Sequence, residues 1–179
     1  MEHATSVTQR AVILVEGESD RIALETLAPR LGRDLGAEGV EIVAMGGVTN
    51  VGVYLARFAA AGSVAVMCDE RESAGVRRAA ERTGVSDLHV EVCVVDLEDE
   101  LIRALGPPAV EQVIEAEAEL SSFRALQHMP AHREHTVEQQ LRRFLGTKSG
   151  RKARYARLLV HALDLTRSPQ PLAGVLGVS

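Results

Sequence analysis

An apolar run, Ala11-Val-Ile-Leu-Val15, stops at the carboxylate of Glu16, turns at Gly17 and reaches a second carboxylate, Asp20, four residues after the first. Four residues are about one helical turn, so an Asp20 that opens a helix stands on the side of Glu16. A carboxylate that ends a buried strand is costly unless positive charge meets it. Two further apolar runs end the same way. Residues 64–67 lead into Cys68-Asp69-Glu70-Arg71-Glu72, and residues 88–95 lead into Asp96-Leu97-Glu98-Asp99-Glu100. One acidic strand end is ordinarily a helix cap or a solvated turn. Three at one sheet edge would repel each other and raise each other's pKa unless cations intervene. An all-oxygen set selects Mg²⁺ or Mn²⁺ over zinc.

The elements that must position these acids alternate along the chain. Strand-type runs rich in Val and Ile fall at Ala11–Val15, Val40–Ala44, 64–67 and 88–95, and helical spacing falls at 21–35, 51–61 and 74–82. Strands separated by such helices imply right-handed crossovers and a mainly parallel sheet, whose ligand edge is the carboxyl end of its strands. After Asp96 the period is helical throughout, at 98–105, 110–126, Val137–Leu145 and 151–163. The expected organisation is a flexible stretch at 1–10, an α/β core at 11–106, a helical segment at 107–167 opened by Pro107-Pro108, and a tail at 168–179 beyond the folded part.

The net charge of −5 conceals an asymmetry. Residues 139–163 hold seven of the 20 basic residues (Arg142, Arg143, Lys148, Arg151, Lys152, Arg154, Arg157) and no acid, which leaves 13 basic and 25 acidic residues elsewhere, a balance of −12. Such a tract is a phosphate-binding candidate or a solvated helix face. Aromatic residues are only 3 %, with no Trp, which argues against base-stacking platforms. There is no apolar run of membrane-spanning length and no charged-then-apolar leader, so a cytoplasmic protein is expected. Cys68 and Cys93 lie in apolar runs and read as buried free thiols. Ser19 reads as a helix cap, and His128, His132 and His135 lack a fourth ligand for zinc. The turn Gly46-Gly47 with Asn50 either presents backbone N–H groups to a phosphate or is a plain strand–helix connection.

Glu16-Gly17 with Asp20, the Gly46-Gly47 turn, Asp69 and Asp96-Leu97-Glu98 resemble a Toprim domain, and most closely the Toprim half of the overcoming-lysogenization-defect (OLD) family of nucleases. The basic stretch Lys152-Ala-Arg154-Tyr155-Ala156 resembles the motif that supplies that family's catalytic lysine. The resemblance implies a Rossmann-like, mainly parallel four-stranded α/β sheet flanked by helices with a helical appendage. It implies metal-dependent DNA endonuclease chemistry, with Glu16, Asp69 and Asp96 as catalytic ligands, Asp20 and Glu98 completing the set for one or two Mg²⁺ or Mn²⁺ ions, and Lys152 neutralising charge on the phosphate. Arg142, Arg143, Lys148, Arg151, Arg154 and Arg157 would contact DNA.

Two departures bear on that expectation. Arg71 stands where the family carries a second Asp after Asp69, with Glu70 and Glu72 the candidates to compensate. The sequence also has no G-x-x-x-x-G-K motif followed by Ser or Thr, so it is expected to act as a lone Toprim unit or with a separate ATPase partner. The apolar face of 110–126 either packs on the sheet or forms a homodimer contact, and the sequence does not choose between them. Two other functions compete: a non-catalytic nucleic-acid-binding or regulatory module, and a receiver-like domain phosphorylated on Asp69. The spacing of Glu16 and Asp20 across a turn, where a receiver would have adjacent acids, counts against the second.

Overall fold

A computed structural model gives the fold and describes residues 11–177. The flexible stretch expected at 1–10 lies outside the described residues, as do positions 178–179. Among the described residues one four-stranded sheet forms from β1 (Ala11–Val15), β2 (Val40–Ala44), β3 (Ser63–Asp69) and β4 (Leu88–Cys93), in the order β2-β1-β3-β4 with every pairing parallel. Val15 pairs with Ala44, Leu14 with Val66, and Asp69 with Cys93.

The chain leaves β1 toward β2 and then crosses back past β1 to β3. Right-handed crossovers in opposite directions put their helices on opposite faces. Helix α1 (Glu18–Arg30) therefore covers one face, and α2 (Val51–Arg57) and α3 (Glu70–Thr83) cover the other. Alternation along each strand feeds both faces. Val12, Leu14, Val64, Val66 and Cys68 pack under α2 and α3, while Ile13, Val15, Met67 and Cys93 pack under α1. The reversal between β1 and β3 opens a crevice at the carboxyl ends of the strands, the place where open parallel sheets hold their ligands.

The second half is helical: α4 (Leu97–Leu105), α5 (Pro107–Ala116), α6 (Leu120–His128), α7 (Val137–Leu145), α8 (Arg151–Ala162) and α9 (Gln170–Val175). Its apolar residues join one continuous core with the α1 face of the sheet, including the fully buried Ile114, Phe123, Phe144 and Tyr155. Arg30, in the last turn of α1, donates to the carbonyls of Val160 and Leu163, the latter at 2.9 Å. That cation caps the carbonyl end of α8 and fixes α8 against α1.

Three local expectations are corrected. The single helix expected at 110–126 is two, broken where Ala118 takes a positive φ of 56° so that Glu119 can reach α8. Both halves turn their apolar residues, Val110, Ile114, Phe123 and Leu126, into the intramolecular core, where a dimer contact had been an alternative. Pro169 and Pro171 do not close the folded part. They flank the start of α9, whose Leu172 and Val175 are buried in the core, because proline in a first helical turn costs no hydrogen bond. Ser19 is the second residue of α1 and not its cap, since Gly17 holds that position. Cys68 and Cys93 are buried free thiols, as expected. No helix among the described residues is long and apolar enough to cross a membrane.

Candidate metal centre

The crevice holds a cleft of about 360 Å³ lined by Glu16, Asp20, Asp69, Asp96, Glu98 and Lys152, with Gly46 and Gly47 on its rim. All three acidic strand ends therefore converge. At the edge of the cleft Glu72, which lines the neighbouring groove, joins the cleft's Glu16 and Asp69, each of the three with a carboxylate oxygen within 4.8 Å of the others. Glu72 lies outside the ligand set that the family resemblance implied. It enters because β3 ends at Asp69 and α3 starts at once: one helical turn carries Glu72 back over the strand end, while Arg71 points to an exposed position. Of the two candidate acids Glu72 joins the cluster, and Glu70 is exposed outside it. The acid three residues after Asp69 was the available signal, since a helix starting there places it beside its own cap.

The remaining acids have other partners. Asp20 folds back to accept the Gly17 N–H at 2.8 Å, and burial, then the charges of Glu98, Glu16 and Asp69, push its pKa up to about 7. Asp96 caps α4 by accepting the Asp99 N–H at 2.9 Å, and its other oxygen takes Arg142 Nε at 2.6 Å. Glu98 is 5 % exposed and accepts Lys152 Nζ on Oε2 at 3.0 Å. Burial opposes the charge on Lys152, but Glu98, Asp96 and Asp20 outweigh it and raise its pKa. Burial, then Glu72 and Asp96, push Asp69 up to about 6, and burial with Glu16 raises Glu72.

These features fit a hard divalent cation. Glu72 Oε2 and Glu98 Oε1 are buried with no hydrogen-bond partner, an expensive condition for a carboxylate oxygen. Carboxylates whose pKa is raised by burial and by neighbouring charge are groups that a divalent ion relieves. Glu16, Asp69 and Glu72 can supply three oxygens to one ion. Asp20, Asp96 and Glu98 border them, with Arg142 and Lys152 balancing the second half of the cleft.

The Gly46–Asn50 turn supports the cleft through the Gly47 N–H and the Asn50 side chain. Gly47, at φ 126° where only glycine is relaxed, donates its N–H to the Glu16 carbonyl at 3.1 Å. Asn50 Nδ2 is committed to the Met45 carbonyl at 2.9 Å. The loop thereby fixes the strand end that carries Glu16.

The basic tract is largely consumed within the protein. Arg151 is buried, not a phosphate contact: it stacks 4.0 Å over the Phe144 ring and donates to Glu119 at 2.7 Å and to the Phe144 carbonyl at 3.1 Å. Glu119 also takes Arg154 and the Tyr155 hydroxyl, the latter at 2.9 Å, and Lys148 lies 3.8 Å away. One inward carboxylate thus organises four residues of the expected DNA-binding stretch. Arg143 is exposed in a basin of about 500 Å³ beside the cleft, with His132, His135 and Arg142. Arg157 is exposed on α8.

Residues 9–70 match the family described as the overcoming lysogenization defect protein-like TOPRIM domain. The whole chain is similar in fold to the C-terminal region of the Burkholderia pseudomallei OLD protein, with a TM-score of 0.68, 19 % identity, and coverage of 94 % of this chain and 96 % of that one. It is similar also to the C-terminal region of the Xanthomonas campestris pv. campestris OLD protein, with a TM-score of 0.61, 19 % identity, and coverage of 95 % and 94 %. No curated protein matches the chain significantly in sequence. The architecture is the Toprim fold as it occurs in OLD proteins.

Proposed function

We propose that this protein is a divalent-metal-dependent nuclease that hydrolyses DNA phosphodiesters at the Glu16–Asp69–Glu72 cleft. The convergence of those three carboxylates within 4.8 Å at the carboxyl edge of a Toprim sheet carries the reading. Glu16, Asp69 and Glu72 would hold Mg²⁺ or Mn²⁺, with Asp96 and Glu98 available to a second ion. The bound metal supplies Lewis-acid stabilisation of phosphate charge and a water of lowered pKa.

The protein's own groups account for the rest. The cleft is strongly negative, so a phosphodiester enters it only where positive charge has been placed. Lys152 and Arg142 stand at that entrance, each held by an acid of α4 or its cap. A scissile phosphate that displaces Glu98 from Lys152 gains a cation already desolvated on one side, worth more to developing negative charge than a free surface lysine. Asp20, with a pKa of about 7, can retain a proton near neutrality and so limits the net negative charge facing the substrate. The Gly46-Gly47 turn leaves the rim without side chains and lets the phosphate backbone approach Glu16.

Supercoiled plasmid incubated with Mg²⁺ or Mn²⁺ is expected to be nicked and EDTA to stop the reaction. Intact plasmid after incubation with pure protein across millimolar concentrations of both metals would sink the proposal.

A further inference from the structure

The sequence directs attention to residues 139–163 as the DNA-binding surface, yet Arg142, Arg151, Lys152 and Arg154 are tied to internal acids. Unpaired positive charge is concentrated elsewhere. Arg71, Arg78 and Arg82 fall at intervals of seven and four residues on α3, so they share one helix face. None has a carboxylate within salt-bridge distance among the described residues, and all three are exposed. They form one wall of a groove of about 490 Å³ between α3 and α2, and Glu72 of the carboxylate cluster lies in the same groove. The acids Glu70 and Glu81 of α3 are not among its walls.

The groove floor is shallow because of two glycines. A Cβ at Gly52 or at Gly75 would meet nothing within 4 Å, and neither residue has a positive φ. Neither backbone conformation nor packing requires glycine there, and glycine inside a helix costs about 1 kcal/mol relative to alanine. The space beside both positions is therefore open to solvent along the groove. The opposite wall presents Val53, 71 % exposed, an apolar surface of the kind that a sugar edge can cover.

We propose that the α2–α3 groove seats the phosphate backbone of one DNA strand and leads it to the carboxylate cluster. The inference rests on the nuclease reading for the identity of the strand but not for its test. From Arg71 to Arg82 the helix rises roughly 16 Å at about 1.5 Å per residue, the length of up to about five nucleotides at about 3.4 Å each. Arg71 stands nearest the cluster, so the residue that departs from the family pattern becomes the end of the track at the chemistry. Guanidinium groups suit it, since each can take two phosphate oxygens in a planar fork.

The test is DNA binding in EDTA, where no cleavage interferes, read by fluorescence anisotropy on a labelled 20-base-pair duplex over a range of salt. The double variant Arg78→Gln/Arg82→Gln is expected to bind at least tenfold more weakly and to flatten the slope of log affinity against log salt by about two, near one per lost phosphate contact. Gly75→Leu changes no charge and favours the helix, and it is expected to weaken binding at least tenfold by filling the groove. An unchanged salt slope in the double variant overturns the proposal. So does wild-type affinity in Gly75→Leu, which would mean that the arginines act only through the general field. Hydrolysis of bis(p-nitrophenyl) phosphate by the wild-type protein needs only the cleft and reads the nuclease chemistry apart from the groove. A wild-type protein that binds DNA through this groove but cleaves neither that ester nor plasmid would refute the nuclease reading while leaving the groove assignment standing.

Discussion

Lys152 on α8 donates at 3.0 Å to Glu98 on α4, 54 positions away in sequence, and the contact joins the helical half of the chain to the acidic edge of the sheet. Arg30 holds α8 by its carbonyl end, and Arg142 of α7 reaches Asp96 just ahead of Glu98. The cleft therefore has an acidic wall made by the sheet and a basic rim made by the helices.

That relationship predicts a kinetic separation at Lys152. If its ammonium leaves Glu98 for the scissile phosphate as charge develops, Lys152→Ala should lower turnover by roughly 10²–10³-fold, the usual loss when one preorganised donor is removed, with DNA affinity nearly unchanged. Single-turnover rates beside the EDTA binding titration measure both. Equal losses in rate and affinity would make Lys152 an ordinary phosphate contact.

Glu72 and Glu70 make a paired prediction. Glu72→Gln should reduce cleavage at least a hundredfold and raise the Mn²⁺ concentration needed for half-maximal activity, because it removes one of three converging negative charges. Glu70→Gln, exposed and outside the cluster, should stay near wild type. Reversed phenotypes would place the compensating ligand on the other acid.

The acids of the cleft should also impose a pH dependence on stability. Burial and neighbouring charge raise Asp20 to about 7 and Asp69 to about 6 from an ordinary value of 3.8. Between about pH 4 and 7 the folded, metal-free protein then binds more protons than the unfolded chain, so its stability should fall as pH rises through that window. Mg²⁺ replaces those protons. The increase in Tm on adding Mg²⁺ should thus be small at pH 5 and larger at pH 8, and Asp69→Asn should raise the metal-free Tm at pH 8. A metal-induced increase that does not grow with pH would show that protons and metal do not compete there.

Arg151 should behave as an architectural residue. Its guanidinium is buried between Phe144 and Glu119, so Arg151→Ala opens a cavity at Phe144 and takes one of several donors from the partly buried Glu119, a change that costs on the order of 2–3 kcal/mol. Urea denaturation would measure that loss. Metal-free DNA affinity of the folded fraction should be little changed, whereas a selective loss of affinity at full stability would return Arg151 to the DNA-binding surface.

The sequence by itself determined the sheet and its acidic edge. The β-branched runs of β1 and β2 begin and end where the composition changes, and each of β1, β3 and β4 leads into an acid, because strand length and strand termination are local properties. A short spacing, such as that from Glu16 to Asp20, is likewise legible wherever helix geometry fixes the direction of both side chains. The division of labour among charges was not local. Whether Arg151 meets DNA or Glu119, whether Asp96 faces metal or Arg142, and whether Glu70 or Glu72 joins Asp69 depend on which helix face turns inward. That choice is made by burial of Phe123, Phe144, Tyr155 and the other apolar residues of one shared core, whose packing free energy sets helix orientation and leaves the surface charges to find partners afterwards. The same packing left Arg78 and Arg82 without a salt-bridged acid among the described residues and the space beside Gly75 open, so the groove on α3 became visible only once the helices were in place.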